Sequence, residues 1–582
     1  MPDDLNMNQK LENILNVSLD ATEDELRKAD SLSTGYNWRD NTWEIIVKYS
    51  GSLESIRNRY NVYIKELLNY YAIIVADKAT IELISQEDVI DYVEKPKSLY
   101  YQIERTKTAA CVGSVRADGN ILSGKGVIVG VIDTGIDIFD NAFRNSDGTT
   151  RILNIYDQTT GEKYDKQSID EYIRLNEDLS GGTFSYDNAP GVDNIMHGTD
   201  VSYIAAGSLG VAYEADIIAV KMGYSINNQF PRTTSLMDAI DYIIRKAIEY
   251  RKPVAVNISY GCNYGAHNGN TLLESFIDDI SKSYRCVICV GSGNEADKAI
   301  HFGGIINTGQ VQTAYLSVGE YQSAIDIQIW KNYWDTIDVM LINPRGEQIG
   351  IITEGRINRY ETYNTEIITL LGEPSPYNIY QEIYINLIPK TDYILSGIWQ
   401  IVLMAGSIRA GEYNIWLPSS QALGYATAFN NPTADGTITI PATARNCIAV
   451  GAYNAYTNSY AAFSGRGFDN SIRNVNAGVK PDITAPGVDI SIARQRGNDI
   501  TYRNVTGTSY AVPVVTGAAA LLMQWGIVMG NDRFMYGEKL KAALINGSKP
   551  VGLVGITRND NQPDPRTGWG AVCLKNTLNK IL

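Results

Sequence analysis

Residues 126–135 read Gly126-Val-Ile-Val-Gly-Val-Ile-Asp-Thr-Gly135. Valine and isoleucine fill every position between the glycines up to an aspartate. A run so uniformly apolar predicts a strand buried on both faces, the kind that parallel sheets contain. Similar short runs recur at 216–221, 254–258 and 286–290, with a helical stretch at 234–250 between two of them. Strand alternating with helix predicts a parallel sheet covered by helices. Asp133 then stands at the C-terminal end of its strand, where open α/β sheets build sites. By itself an aspartate there also suits a turn cap.

Moving outward, the texture changes at about residue 311. From there to 418 apolar and polar residues alternate, as in 324–330, 336–342, 381–387, 399–404 and 412–417, with Gly, Pro and Asn between. This predicts an inserted antiparallel all-β module. The α/β rhythm resumes near Ile438 and ends in an apolar helix that starts near Ser509. Upstream, 43–49, 67–76 and 89–93 read as strands and 52–60 and 79–86 as helices. The first forty residues are acidic and helix-prone. The expected division is an N-terminal α+β unit at 1–102, an α/β domain at 103–310 and 433–582, and the β insertion at 311–432.

The chain has 582 residues, 44% apolar and 20% charged. At about 150 residues per domain, this is room for three or four domains and a large core that needs no disulfide staples. The composition excludes a mostly disordered chain. A net charge of −15 argues against nucleic acid or an anionic membrane as the main partner. Met1-Pro2-Asp3-Asp4 shows neither a basic nor an apolar leader region, so no secretory signal is expected. The longest apolar run, around 511–523, is broken by Thr516 and Gly517, and no membrane span is expected. The six cysteines are scattered. Cys286 and Cys289 form a C-x-x-C, but inside an apolar strand and without a second ligand pair, so they read as buried thiols in a reducing compartment. No D-x-D-x-D-G loop is present; no cofactor is expected, with structural calcium left open.

Only three histidines are available as a general base. His267, in a Gly/Asn-rich loop, and His301 read as surface or packing residues. His197, in His197-Gly-Thr199 just before the small-residue run 201–207, suits a helix start or a catalytic base. Ser509, in Gly507-Thr-Ser-Tyr-Ala-Val-Pro513, starts a helix and reads as an N-cap or a nucleophile beside free N–H groups. Pro513 is expected in the first turn, where no helical N–H bond is lost. Asn294, in Gly291-Ser-Gly-Asn-Glu295, is a turn asparagine or an oxyanion donor.

Together, Asp133-Thr-Gly, His197-Gly-Thr, Ser-Gly-Asn294 and Gly-Thr-Ser509, in that order, resemble the subtilisin-like serine proteases. The order Asp, His, Ser separates that family from the chymotrypsin and α/β-hydrolase arrangements. Asn257-Ile-Ser-Tyr-Gly261, Phe463-Ser-Gly-Arg-Gly467 and Lys480-Pro-Asp-Ile-Thr-Ala-Pro-Gly487 resemble further family segments. The resemblance implies a three-layer α/β fold in which Ser509 is nucleophile, His197 base and Asp133 its orienting carboxylate. Asn294 and the Ser509 N–H would form the oxyanion hole. It also implies substrate binding by β-strand addition along Ser259, Tyr260 and Gly261 and at Gly223, with Gly291, Ser292 and Gly293 lining the site. The family usually reads His-Gly-Thr-His, where this chain has Asp200, and Met where it has Tyr510. Asp200 is expected to alter local hydrogen bonding and not to abolish catalysis.

The 215 residues from Asn294 to Ser509 exceed the roughly 60 that two βα units need, which accounts for the insertion. A jelly-roll-like sandwich is expected there, either to rigidify the fold or to recognise a protein. Residues 40–102 resemble a subtilisin prodomain, and self-processing is expected after Gln102, with Tyr101 the next choice. Prodomain, insertion and lack of a visible signal together resemble the Csp-type germination proteases of spore-forming Firmicutes. That resemblance implies a protein substrate such as a cortex-hydrolase zymogen, the chain's own prodomain as a partner, and packaging in the spore. A pseudoprotease that retains its prodomain, and a general protein-turnover subtilase, remain the alternatives.

Overall fold

The computed structural model describes the chain except at residues 1–7, 9, 24–25, 27–34, 68–69, 96–109, 112–115, 118–119, 178–188, 224–230, 351, 353–356, 375–377, 469–478, 497–498 and 553–562. It divides into two compact units, Met1–Tyr100 and Tyr101–Leu582. Gln102 and Tyr101, the expected processing sites, lie outside the described residues.

In the first unit an antiparallel sheet is built around Thr42–Tyr49, which pairs with both Tyr71–Ala76 and Ile90–Glu94. Helices Glu54–Tyr60 and Lys78–Gln86 accompany it. Alternation along Thr42–Tyr49 turns Trp43, Ile45 and Val47 into the core, beside Ile56, Ile74 and Ile81. The single strand expected at 67–76 is instead half of a hairpin: Tyr63–Leu67 pairs with Tyr71–Ala76, with Leu67 opposite Tyr71. Tyr70, at φ +61°, makes the reversal that the apolar pattern hides.

In the second unit the central strand is Ile128–Asp133, flanked in parallel by Asp216–Lys221 and Val254–Ile258. Ile152–Asp157 lies beyond the first of these, and Cys286–Gly291, Ile448–Asn454 and Ile483–Pro486 follow beyond the second. Every residue of the central strand is buried. Its alternate side chains serve different cores, as a period of two requires. Val129 and Val131 pack with helices His197–Ala206 and Thr508–Met523. Ile128 and Ile132 pack with helices Thr233–Tyr250 and Leu272–Ser283. The result is three layers. The apolar stretch Thr508–Val528 has the length of a membrane span, but 89% of its most apolar window is buried in this core.

The insertion is a sandwich of two antiparallel sheets. One has six strands in the order His301–Ile305, Glu412–Trp416, Ile325–Asn332, Tyr380–Pro389, Thr365–Leu371, Ile357–Glu361; the other has five, centred on Gly397–Ala405. Inward residues such as Ile325, Ile327, Ile329, Ile383, Ile385 and Ile401 form its own core. Its first strand, His301–Ile305, begins ahead of residue 311, because a strand of three polar or glycine residues in five carries no apolar alternation to announce it.

Cys286 and Cys289 are buried in their strand, and burial pushes both thiols up to about 12. Cys111 and Cys573, 462 positions apart, form a disulfide. The scattered spacing concealed this pairing, and it counts against the fully reduced set of thiols expected from the sequence.

Candidate active site

Asp133 ends the central strand, fully buried, and its Oδ1 lies 2.7 Å from His197 Nδ1. The Thr134 N–H also donates to that oxygen, at 2.8 Å. An ionised carboxylate only accepts, so Nδ1 carries the proton and Nε2 is left as the basic nitrogen. Burial disfavours a charge on His197, but attraction and hydrogen bonding from Asp133, with Asp200 and Asp193 behind them, raise its pKa above the usual histidine value.

Glycine makes the approach between the two segments possible. A Cβ on Gly198 would lie 2.3 Å from the Gly135 carbonyl oxygen and 2.9 Å from Asp133 Cβ. The start of the histidine helix is anchored by Asp193. One of its oxygens accepts from Met196 N–H at 2.7 Å and Thr134 Oγ1 at 2.8 Å; the other accepts from Thr199 N–H and Oγ1, both at 2.8 Å. The sequence reading missed Asp193. An acidic residue four positions ahead of a helix-opening histidine was the available signal.

Ser509 is the second residue of helix Thr508–Met523, where backbone N–H groups have no helical acceptor. Pro513, expected in the first turn, lies beyond it and removes the N–H that would bond the Ser509 carbonyl. The Ser259 hydroxyl takes over, donating to Ser509 O at 3.3 Å, and is itself held by Asn257 Nδ2 at 3.1 Å. Asn294 Oδ1 accepts from both Thr508 N–H and Thr508 Oγ1 at 3.0 Å. Its carbonyl end is therefore occupied and the two amide hydrogens remain to serve as donors. Thr508 was not singled out from the sequence; as part of Gly-Thr-Ser it was visible, but its partner lies 214 positions away. Tyr510 brings its ring to 5.3 Å from the His197 ring. No hydrogen bond joins Ser509 Oγ to His197 Nε2 among the described residues. In enzymes without substrate that bond is often long and tightens on binding.

The expected substrate-binding residues fare differently. Ser259 and Gly261 make no backbone hydrogen bond among the described residues, which suits pairing with an extended peptide. Tyr260 lies half-buried between them. The Gly223 N–H donates to Gln158 Oε1 at 3.1 Å just past the strand Asp216–Lys221, and the stretch that follows it, 224–230, lies outside the described residues. Gly291 closes the strand against the nucleophile helix, where a Cβ would lie 3.3 Å from Thr508 Oγ1. Ser292 is fully buried, with its N–H on Val450 O and its carbonyl on Thr439 N–H. Gly293, at φ +92°, accepts from Gly465 N–H. Both shape the wall: Ser292 has no backbone group to spare, and the Gly293 carbonyl is taken.

His267 and His301 both stack on Trp416, at ring distances of 4.2 and 4.9 Å, and both are buried. Burial pushes His267 down to about 4, so it is neutral and structural.

Two family models match the chain: the subtilase family at residues 124–374 and 410–570, and the Csp protease B prodomain at 9–97. The structure of the Clostridium perfringens CspB protease is similar at 34% identity and a TM-score of 0.74, covering 81% of this chain and 96% of that one. The subtilase-type proteinase RRT12 of Saccharomyces cerevisiae is 33% identical over 128 residues, and subtilisin-like protease 10 of Arthroderma otae 34% over 120. Those stretches cover 22% and 21% of this chain and only 23% and 27% of these two relatives. With the family model spanning well over half of its length, the chain belongs to the subtilase family of serine endopeptidases and carries a Csp protease B-type prodomain.

Proposed function

We propose that the chain hydrolyses peptide bonds through Asp133, His197 and Ser509. The observation that carries this is the 2.7 Å Asp133–His197 contact, held beside a nucleophile helix whose Thr508 orients Asn294. Ser509 attacks the scissile carbonyl while His197 Nε2 takes its proton and returns it to the leaving amine. Asp133 keeps the tautomer and stabilises the imidazolium. The Asn294 amide and the Ser509 N–H bind the oxyanion, a contribution of about 3–4 kcal/mol per donor. The substrate is an extended segment of a protein, and the first is the chain's own prodomain, released by cleavage near Gln102. The Csp-type prodomain and the likeness to the C. perfringens CspB protease support a specific zymogen of the germination type, such as a cortex hydrolase, with the protease packaged in the spore.

Intact-mass analysis of wild type beside Ser509→Ala tests this. Cleavage between residues 96 and 106 in wild type alone supports it; a cut elsewhere sinks the processing site. The second reading is a pseudoprotease that keeps its prodomain. An uncut wild type whose Ser509 stays unlabelled by a serine-reactive probe, even after another protease has removed the prodomain, selects that reading.

A further inference from the structure

Asp200 lies one helical turn after His197, with its carboxylate fully buried. It forms ion pairs with both Arg494 and Arg503. These arginines belong to the ribbon of strands Ile490–Arg496 and Asp499–Val505, whose register sets Arg494 opposite Thr501 and Arg503 opposite Ile492. The two side chains are therefore diagonal neighbours on one face, able to close on a single carboxylate. Arg494, 11% exposed, also donates to the carbonyl of Met196, the residue before His197, at 2.9 Å. Arg503, 41% exposed, faces the hydroxyl of Tyr510. The cluster thus touches the histidine helix on one side and the neighbour of the nucleophile on the other.

Two arginines against one carboxylate leave one positive charge in surplus near the imidazole, since Arg494 holds the Met196 carbonyl and Arg503 faces Tyr510. The charged and titratable groups around His197 are Asp133 at the strand end, Asp193 ahead of the helix, Asp200 on the helix itself, Arg494 and Arg503 from the ribbon, and Tyr510 from the nucleophile helix. Among the described residues, Asp200 is the carboxylate that pairs with the arginines.

We propose, building on the serine-protease reading, that Asp200 is a positioning residue for His197: it fixes the 490–505 ribbon and Tyr510 against the imidazole and offsets the arginine charge there. The strength of the catalytic base is then set jointly by Asp133 and by the Asp200–Arg494–Arg503 cluster. Two substitutions have opposite signs. Removing Arg503 takes away the surplus positive charge, leaves Asp200 matched by Arg494 alone, and favours the imidazolium. Removing the Asp200 charge leaves two arginines unbalanced and disfavours it. A link that only held the ribbon in place would give neither sign.

The test uses the full chain carrying ¹³C-labelled histidine, whose three rings are few enough to follow individually by NMR. The His197 signal is assigned by its loss in His197→Gln. The ring titration is followed in wild type, Arg503→Gln, Asp200→Asn and the double variant, beside the pH profile of kcat/KM on a peptide. The midpoint rises in Arg503→Gln and falls in Asp200→Asn, each by roughly half to one pH unit. The double variant lies between them, and the rate profile moves in step. Arg503 is half-exposed, so Arg503→Gln reports even where Asp200→Asn, which strands Arg494, does not fold. A midpoint unmoved or lowered in Arg503→Gln overturns the proposal. Ring titration needs no turnover, so an inactive wild type counts against the protease reading and leaves this measurement decisive on its own.

Discussion

His197 and His267 are both largely removed from water, yet their basicities move in opposite directions. Burial acts against the charge in both. Beside His197 it is overcome by a carboxylate at 2.7 Å; His267 has only neutral surroundings, the carbonyl oxygen of Ile438 at 2.6 Å and the face of Trp416. One region keeps a histidine reactive by placing charges around it. The other makes histidine a flat, neutral filler at the seam between sheet and insertion. Burial alone therefore says nothing about function; the partner of Nδ1 does.

The harshest way to break this contrast is Asp133→Asn, which gives His197 a neutral neighbour like that of His267. A loss of about 10⁴ in kcat is expected, read from turnover of a peptide substrate. In wild type kcat/KM rises with pH through a His197 midpoint above the ordinary value of about 6.5; in Asp133→Asn that limb moves to lower pH.

Trp416→Ala attacks the other side. It removes the ring on which both histidines stack and strands the Gly436 carbonyl that accepts from Trp416 Nε1 at 2.9 Å. A loss of about 3–5 kcal/mol is expected in denaturant unfolding, with the activity of the molecules that remain folded little changed.

His267→Phe sharpens the contrast through pH. A histidine lowered from about 6.5 to about 4 on folding costs stability as pH falls through that window, roughly 3 kcal/mol in all. The substitution should flatten the acid limb of the stability curve. His197 acts the other way: its folded pKa is raised, so its contribution is complete below about 6.5 and fades as pH climbs through the folded value. Smallest is Thr508→Val, which removes the hydroxyl bond to Asn294 Oδ1 and leaves only the backbone one. About a tenfold fall in kcat at unchanged KM is expected; a change in KM alone would place Thr508 in substrate binding.

The strands and the four motif segments were legible because each is local: a run of Val and Ile between glycines, or three or four residues with one chemistry. The contacts that tune the site were not. Asp200 meets arginines 294 and 303 positions away, and Asn294 meets Thr508 across the whole insertion. No periodicity encodes such pairs; they exist only once the sheet has formed. The hairpin at 63–76 was lost for a different reason, since Lys65 and Glu66 break the apolar pattern of its first strand and Tyr70 reverses the chain without a glycine.

The Cys111–Cys573 bond turns nearly all of the second unit into a covalent ring. Residues 1–110 contain no cysteine. A cut upstream of Cys111 therefore releases the N-terminal piece as a separate molecule, with or without reductant. Any single cut between Cys111 and Cys573 leaves both pieces joined until the disulfide is reduced. One pair of gels, run with and without a thiol, thus sorts maturation from damage: the prodomain separates in both, and a nicked protease comes apart in only one.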